Sequence, residues 1–371
     1  MTLTLCNDKI FAERNRTGLK CLPRVKVPGT RGCVLHDWHA EVLALRAFNH
    51  FLLQECLSLL ESRRESSTVL QRTVTCRGDD FPQPFSVRED VKIHMYCSEA
   101  PCGDSSMELV MKAQEDATPW PIPSCERAEA ATMELRGREN FSELGIVRRK
   151  PGQSSHASKP QLMLSRIARG DSLTTLSKSC SDKLALKQCT SLLNSDTITL
   201  INPERAYLET VILPQSQYLE TSFSRAFGTE GRMKPVVGKI WPGGFNCRPF
   251  DVRTTVVNFD FSRHRLFSPK GQLKSSNISA VWTPSVQETL INGVLQGRKQ
   301  DDPRGASAVS RKRMYDLAYC ISNQLDERSA SEVVPSDSIA IGQRRLVKDD
   351  VTKVALKGWI RNCQDGFENS R

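Results

Sequence analysis

The sequence predicts a mixed α/β protein, one domain carrying peripheral insertions. Three observations predict it. A long segment with helical apolar spacing and neither Pro nor Gly runs from Glu41 to Ser62. Short alternating or apolar runs with strand character follow it, and further helical segments come after those rather than all strands grouping together. No internal repeat interrupts the pattern.

The helix over Glu41–Ser62 places Val42, Leu45, Phe48, Leu52, Leu59 and Leu60 on its apolar side. Arg63–Gln83 is polar and reads as a loop. Val91, Ile93 and Met95 alternate with Lys92, His94 and Tyr96, the period of a strand. That strand leads into Ser98–Asp104, and Ser105–Lys112 reads as helical. Pro101 suits a first helical position, where its missing N–H costs nothing, so Cys102 is expected in a first turn whose dipole favours thiolate. Residues 114–140 and 153–168 read as loop insertions. Thr197–Ile201, Ala206–Leu213 and Thr254–Phe259 read as strands, and Lys312–Leu325 and Val347–Arg361 as helices.

The chain has 371 residues, of which 39% are hydrophobic and 25% charged, the balance of a soluble globular protein. Its apolar runs fall far short of the roughly 20 residues a membrane-crossing helix needs. Met1–Lys9 lacks a signal-peptide pattern, so an intracellular location, cytoplasm or nucleus, is expected. There the 13 cysteines are expected as thiols rather than disulfides. A net charge of +10 favours a polyanionic partner such as RNA.

His39-Ala40-Glu41 and Pro101-Cys102 carry the chemistry. An imidazole and two thiolates hold zinc in three of four tetrahedral positions and leave one for water. Zinc nucleobase deaminases combine such ligands with a non-ligand Glu that moves protons. Their Pro-Cys-x-x-Cys run would put the third ligand at position 105, which here is Ser105. The third ligand must come from elsewhere, and Cys97, Cys180 and Cys189 all remain open on this reading.

Four runs occur in order: Gly18–Pro23, His39–Val42, Pro101–Asp104 and Ser179-Cys180-Ser181-Asp182-Lys183-Leu184-Ala185. With Tyr207-Leu208, Arg225–Phe227, Asn277–Trp282 and Gly358-Trp359, they resemble the RNA adenosine deaminase (A-to-I editase) domain family across most of the chain. Lacking a double-stranded-RNA-binding module, the chain is similar to the members acting on tRNA. The resemblance implies a cytidine-deaminase-like core, a mixed sheet flanked by helices, with a C-terminal helical and strand extension. It implies zinc on His39, Cys102 and Cys180, with Glu41 as proton shuttle, and conversion of adenosine to inosine beside the anticodon of alanine tRNA.

It further implies a buried inositol hexakisphosphate held by Arg46, Lys183, Lys312, Lys348 and Trp359, with Arg313 competing for the place of Lys312. A relay from that group to the zinc is implied through Lys183, Asp37 and Lys150, and an RNA phosphate contact at Lys20. Arg148, Arg149 and Lys150 form a basic cluster that could track a nucleic-acid backbone. No obligate protein partner is expected. Three departures stand out: Met1–Thr17 do not resemble the family's N-terminal segment, so the domain reads as shortened there; Gln153–Ala168 intervene before Arg169-Gly170-Asp171; and no Tyr-x-x-x-Lys stretch precedes Lys348. Two other readings share the metal: a cytidine deaminase, and a zinc- and RNA-binding protein without catalysis. A binding module has no use for Glu41.

Overall fold

Alternation at Ile93, Met95 and Cys97 against His94 and Tyr96 yields a strand whose inward residues are buried, and that strand sits inside the main sheet. In the computed structural model, the residues described are 2–5, 20–73, 83–112, 175, 177–260, 277–326, 337–357, 359, 361, 362 and 364–367. The first strands are β1 (Thr2–Leu5), β2 (Leu70–Arg72), β3 (Phe85–Val87) and β4 (Ile93–Cys97). After them come β5 (Ile201–Asn202), β6 (Leu208–Pro214), β7 (Ile240–Trp241), β8 (Phe245–Asn246) and β9 (Asp251–Thr255). The last are β10 (Ile278–Thr283), β11 (Val286–Ile291) and β12 (Val294–Leu295). The helices are α1 (Ala40–Ser62), α2 (Met107–Lys112), α3 (Cys180–Thr190), α4 (Glu220–Phe227), α5 (Arg311–Asp326) and α6 (Asp337–Val354).

The main sheet has the order β1-β4-β6-β9, with every neighbouring pair parallel. Parallel strands need crossovers, which helices and loops supply here. Helix α1 is buried around much of its circumference, from Leu43 through Phe48 and Leu52 to Leu60, as a central helix must be. It ends at Arg63, in the left-handed conformation that closes a helix. Three small sheets accompany the main one: β2-β3-β5, the meander β10-β11-β12 and the pair β7-β8. In the meander, Asn292 and Gly293 both have positive φ, 54° and 81°, the turn that Asn-Gly favours between antiparallel strands.

Helices over Glu41–Ser62 and Lys312–Leu325 and strands at Val91–Met95 and Ala206–Leu213 are all present within a few residues. Other expectations are corrected. Cys102 lies in no helical turn: Gly103 has φ 108° and a 3-10 turn starts at Asp104, so α2 begins only at Met107. Thr197–Thr199 is a 3-10 turn rather than a strand, stapled by Asn194 Oδ1 accepting from the N–H of Asp196 and Thr197. Leu70–Arg72, expected in a loop, pairs with Phe85–Val87 because Leu70, Phe85 and Val87 have core to face. The expected strand at Thr254–Phe259 lies at Asp251–Thr255, and the final helix starts at Asp337 and stops at Val354. The insertions at 114–140 and 153–168 lie outside the described residues. No described helix is long and apolar enough to cross a membrane.

Candidate active site

Three distant segments meet at the N-terminus of α1. His39 is its N-cap and Glu41 lies in its first turn. The preceding loop is pinned by a Cys21–Asp37 bridge, by Trp38 N–H to Lys20 O at 3.0 Å and by Leu35 N–H to Gly293 O at 2.9 Å. Gly293 is required there, because a Cβ would lie 2.5 Å from the Leu35 carbonyl and against the Trp38 ring. Cys102 follows β4, whose last residue is Cys97. Cys180 opens α3, where Ser179 and Asp182 form a reciprocal capping box. Ser181 Oγ accepts from Ser105 N–H at 3.1 Å and lies 3.0 Å from the Cys102 carbonyl, fastening the two cysteine segments together.

The backbone N–H of Cys180 donates to Cys102 Sγ at 3.3 Å, and the Cys180 thiol donates to Glu41 Oε2 at 3.3 Å. Burial, then the Cys102 charge, pushes the Glu41 carboxyl above its ordinary value, and His39 partly opposes the shift. The hydrogen bond with Cys102, followed by burial, pushes the Cys180 thiol well up. Glu41, His39 and Cys102 nonetheless keep accessible surface, as groups lining a pocket do. Of the three cysteines open in the sequence, Cys97 is sealed in the sheet core and Cys189 lies at the far end of α3 beside Cys247. Cys180 is the one against Cys102 and Glu41. Two thiols and one imidazole suit zinc.

Asp37 organises the imidazole. Its Oδ1 lies 2.5 Å from His39 Nδ1 and accepts the His39 backbone N–H at 2.9 Å. Nδ1–H donation to a carboxylate leaves the Nε2 lone pair for a ligand role. Its Oδ2 accepts from Lys183 Nζ and from Ser177 Oγ, the latter at 2.6 Å. Among the described residues, the donor atoms within 4.8 Å of one another are those of Cys21, Asp37 and His39. The Lys183 ammonium on Asp37 repels a metal ion from that trio, so we read it as support for His39 rather than as a second centre.

An adenosine-deaminase (editase) domain model matches residues 16–338. The chain belongs to that family. It is similar to a protein of Schizosaccharomyces pombe named tRNA-specific adenosine deaminase 1, 33% identical over 95% of this chain and 83% of the relative. The Saccharomyces cerevisiae protein of the same name is 32% identical over 58% of this chain and 50% of its own length. The Drosophila melanogaster one is 24% identical over 80% and 68%. This adenosine deaminase is therefore a hydrolase acting on adenosine, and the cytidine-deaminase reading falls away.

Behind the active site the deaminase encloses cations. Burial lowers the Arg46, Lys187, Arg344 and Lys348 values from their ordinary ones, Arg344 to about 10. Arg344, Lys348 and Arg46 each depress Lys187 further, so the four are close neighbours. All four are part-buried. Arg344 Nε is buried with no hydrogen-bond partner. The Lys178 and Lys348 ammonium groups lie 5.4 and 5.7 Å from the Trp359 ring centroid. Such a concentration of positive charge fits a polyanion.

Of the residues named from sequence for this cluster, Arg46, Lys348 and Trp359 are in it, and Lys183 is turned toward Asp37. Lys312 pairs with Asp316 at 2.6 Å, with 42% of its side chain exposed. Lys187, Arg344 and Lys178 were missed. Lys187 follows Lys183 by one helical turn and Arg344 precedes Lys348 by one, a spacing visible in the sequence. The side chain of Lys20 is half-buried, and its backbone carbonyl anchors Trp38. Lys150, with Arg148 and Arg149, lies outside the described residues.

Proposed function

We propose that the chain deaminates adenosine to inosine in tRNA, at the position 3′ of the anticodon in alanine tRNA, within a cytidine-deaminase-like core. The contact of Glu41 with Cys180, beside Cys102 and His39, carries the reading. His39, Cys102 and Cys180 would hold one zinc. Bound zinc supplies Lewis-acid activation of water near neutral pH. Glu41 takes up a proton at its carboxylate, whose raised affinity for protons suits it to the task, and returns it to the amine leaving C6 of a flipped-out adenine. Asp37 holds His39 in one tautomer. The enclosed cations would hold inositol hexakisphosphate, and Lys183, between that cluster and Asp37, links the two groups.

The names of the relatives and the net charge of +10 support tRNA as substrate. Lys20 is a proposed phosphate contact, and we place the enzyme inside the cell, in cytoplasm or nucleus, acting without an obligate protein partner. The test is Glu41→Ala incubated with total tRNA. Inosine formation, read by sequencing, falls at least a thousandfold while zinc stays near one per chain; retained turnover sinks the assignment.

A further inference from the structure

Asp104 stands two residues after Cys102, and Asp182 two residues after Cys180. Both carboxylates are buried, and the guanidinium of Arg232, itself 7% exposed, lies between them. Its Nη1 is 2.7 Å from Asp182 Oδ1 and 3.8 Å from Asp104 Oδ2, and its Nε donates to the Ala226 carbonyl at 3.0 Å. Arg225 grips the same loop from the outer side. Its Nε donates to Asp104 Oδ1 at 2.7 Å, its Nη2 to the Asp104 carbonyl at 3.0 Å and its Nη1 to Glu108 Oε1 at 2.5 Å. One tight turn delivers both arginines, since Arg232 N–H donates to the Arg225 carbonyl at 3.0 Å.

Two buried carboxylates repel each other unless a cation joins them; Arg232 does so through Nη1, hydrogen-bonded to Asp182 and in ion-pair range of Asp104, while its Nη2 and Asp104 Oδ2 are buried with no hydrogen-bond partner. Each carboxylate is only two residues from its cysteine. Holding Asp104 against Asp182 therefore holds the Cys102 segment against the start of α3. At that junction Ser181 N–H also donates to the Cys102 carbonyl at 3.0 Å, and Cys180 N–H lies 3.3 Å from Cys102 Sγ.

We propose that Arg232, braced by Arg225, is a positioning residue that sets the spacing of the Cys102 and Cys180 sulfurs and thereby the zinc affinity of the site. The inference rests on the zinc reading above. The test compares the full chain with Arg232→Lys, Arg225→Lys and, as a stability control, Leu59→Ala, about 30 Å along α1 from His39. Zinc affinity is measured by competition with a chromophoric chelator, and the thiolate-to-metal charge-transfer band is recorded after cobalt substitution.

Arg232→Lys is expected to bind zinc about 10–100-fold more weakly, with a shifted band, as loss of a group that orients ligands does. Arg225→Lys loses several-fold, and Leu59→Ala loses thermal stability but no zinc affinity. Parent-like zinc affinity and an unshifted band in Arg232→Lys overturn the inference, whatever its melting temperature. If Arg232→Lys does not fold, Arg225→Lys decides, and unchanged affinity there overturns it. A parent chain that binds no zinc sinks the zinc reading and this inference together, whereas tight parent binding matched by both Lys variants sinks the inference alone.

Discussion

Asp37→Asn keeps the shape of the side chain and removes its charge, so it isolates what that carboxylate does. Asp37 is 7% exposed and Lys183 22%, and Asp37 accepts from Lys183, Ser177 and both the ring and backbone nitrogens of His39. Breaking a buried pair by removing one partner costs about 3–5 kcal/mol, and the partial exposure of Lys183 puts this case near 3. For a chain of this size roughly 2 °C of melting temperature accompanies each kcal/mol, so scanning calorimetry should read a fall of about 6 °C. Zinc affinity should drop about 10–100-fold, because an amide orients the His39 ring less firmly than a carboxylate. Adding Lys183→Met to Asp37→Asn removes the stranded ammonium and recovers part of the stability, yet leaves zinc affinity low. Recovery of both quantities together would refute the reasoning, since it would make Asp37 only a counter-ion for Lys183. Parent-like values in the single variant would refute it as well.

Gly103→Ala should disorganise the Cys102 segment: φ is 108° and the new Cβ would lie 2.3 Å from Ser179 Oγ. Backbone strain alone is worth about 1–3 kcal/mol, and metal content and inosine formation should fall together in the purified protein. His36 is lowered from 6.5 to about 4, chiefly by burial. The unfolded chain takes up that proton near 6.5 and the folded one only near 4, so stability falls as pH drops through this window, by on the order of 3 kcal/mol. Urea unfolding of the parent minus that of His36→Gln, followed from pH 7 to pH 4, should show the difference. Lys187→Met tests the buried cations by anion content. Lys187 Nζ also donates to the Leu192 and Leu193 carbonyls at 2.9 Å, so the variant melts lower in either case; with a polyanion bound it also carries less phosphorus per chain than the parent, measured by elemental analysis.

What was legible in the sequence is what depends on neighbours along the chain. Helix α1 declares itself through 3.6-residue spacing without a breaker, and β4 through strict alternation. His39 and Glu41, two residues apart at a helix start, define the chemistry before any fold is known. Cys180 could not be chosen from Cys97 and Cys189 by spacing, because the choice depends on which thiol the fold carries to Cys102; the family likeness supplied it. Cys102 was misread as helical because Pro101 imitates a helix start, whereas Gly103 at φ 108° turns the chain first so that the loop can close on Ser179. The short strands β2 and β3 were invisible because their few residues obtain their order from packing. Lys312 has its partner, Asp316, one turn along its own helix, a pairing the i, i+4 spacing already offers.

Helix α3 joins the proposed metal site to the cation cluster. At about 100° per residue, Cys180, Lys183 and Lys187 share one face of the helix, and Asp182 points the opposite way. The shared face carries in sequence a thiol against Glu41, an ammonium on Asp37 and an ammonium among the enclosed cations. The opposite face locks to Arg232. A rigid helix so fixed cannot shift at Lys187 without moving Cys180, two turns away. Lys187, Arg46, Arg344 and Lys348 repel one another unless an anion lies among them, and α3 would carry that strain to Cys180. On the proposed reading, a polyanion that neutralises these cations therefore also steadies the geometry at Glu41.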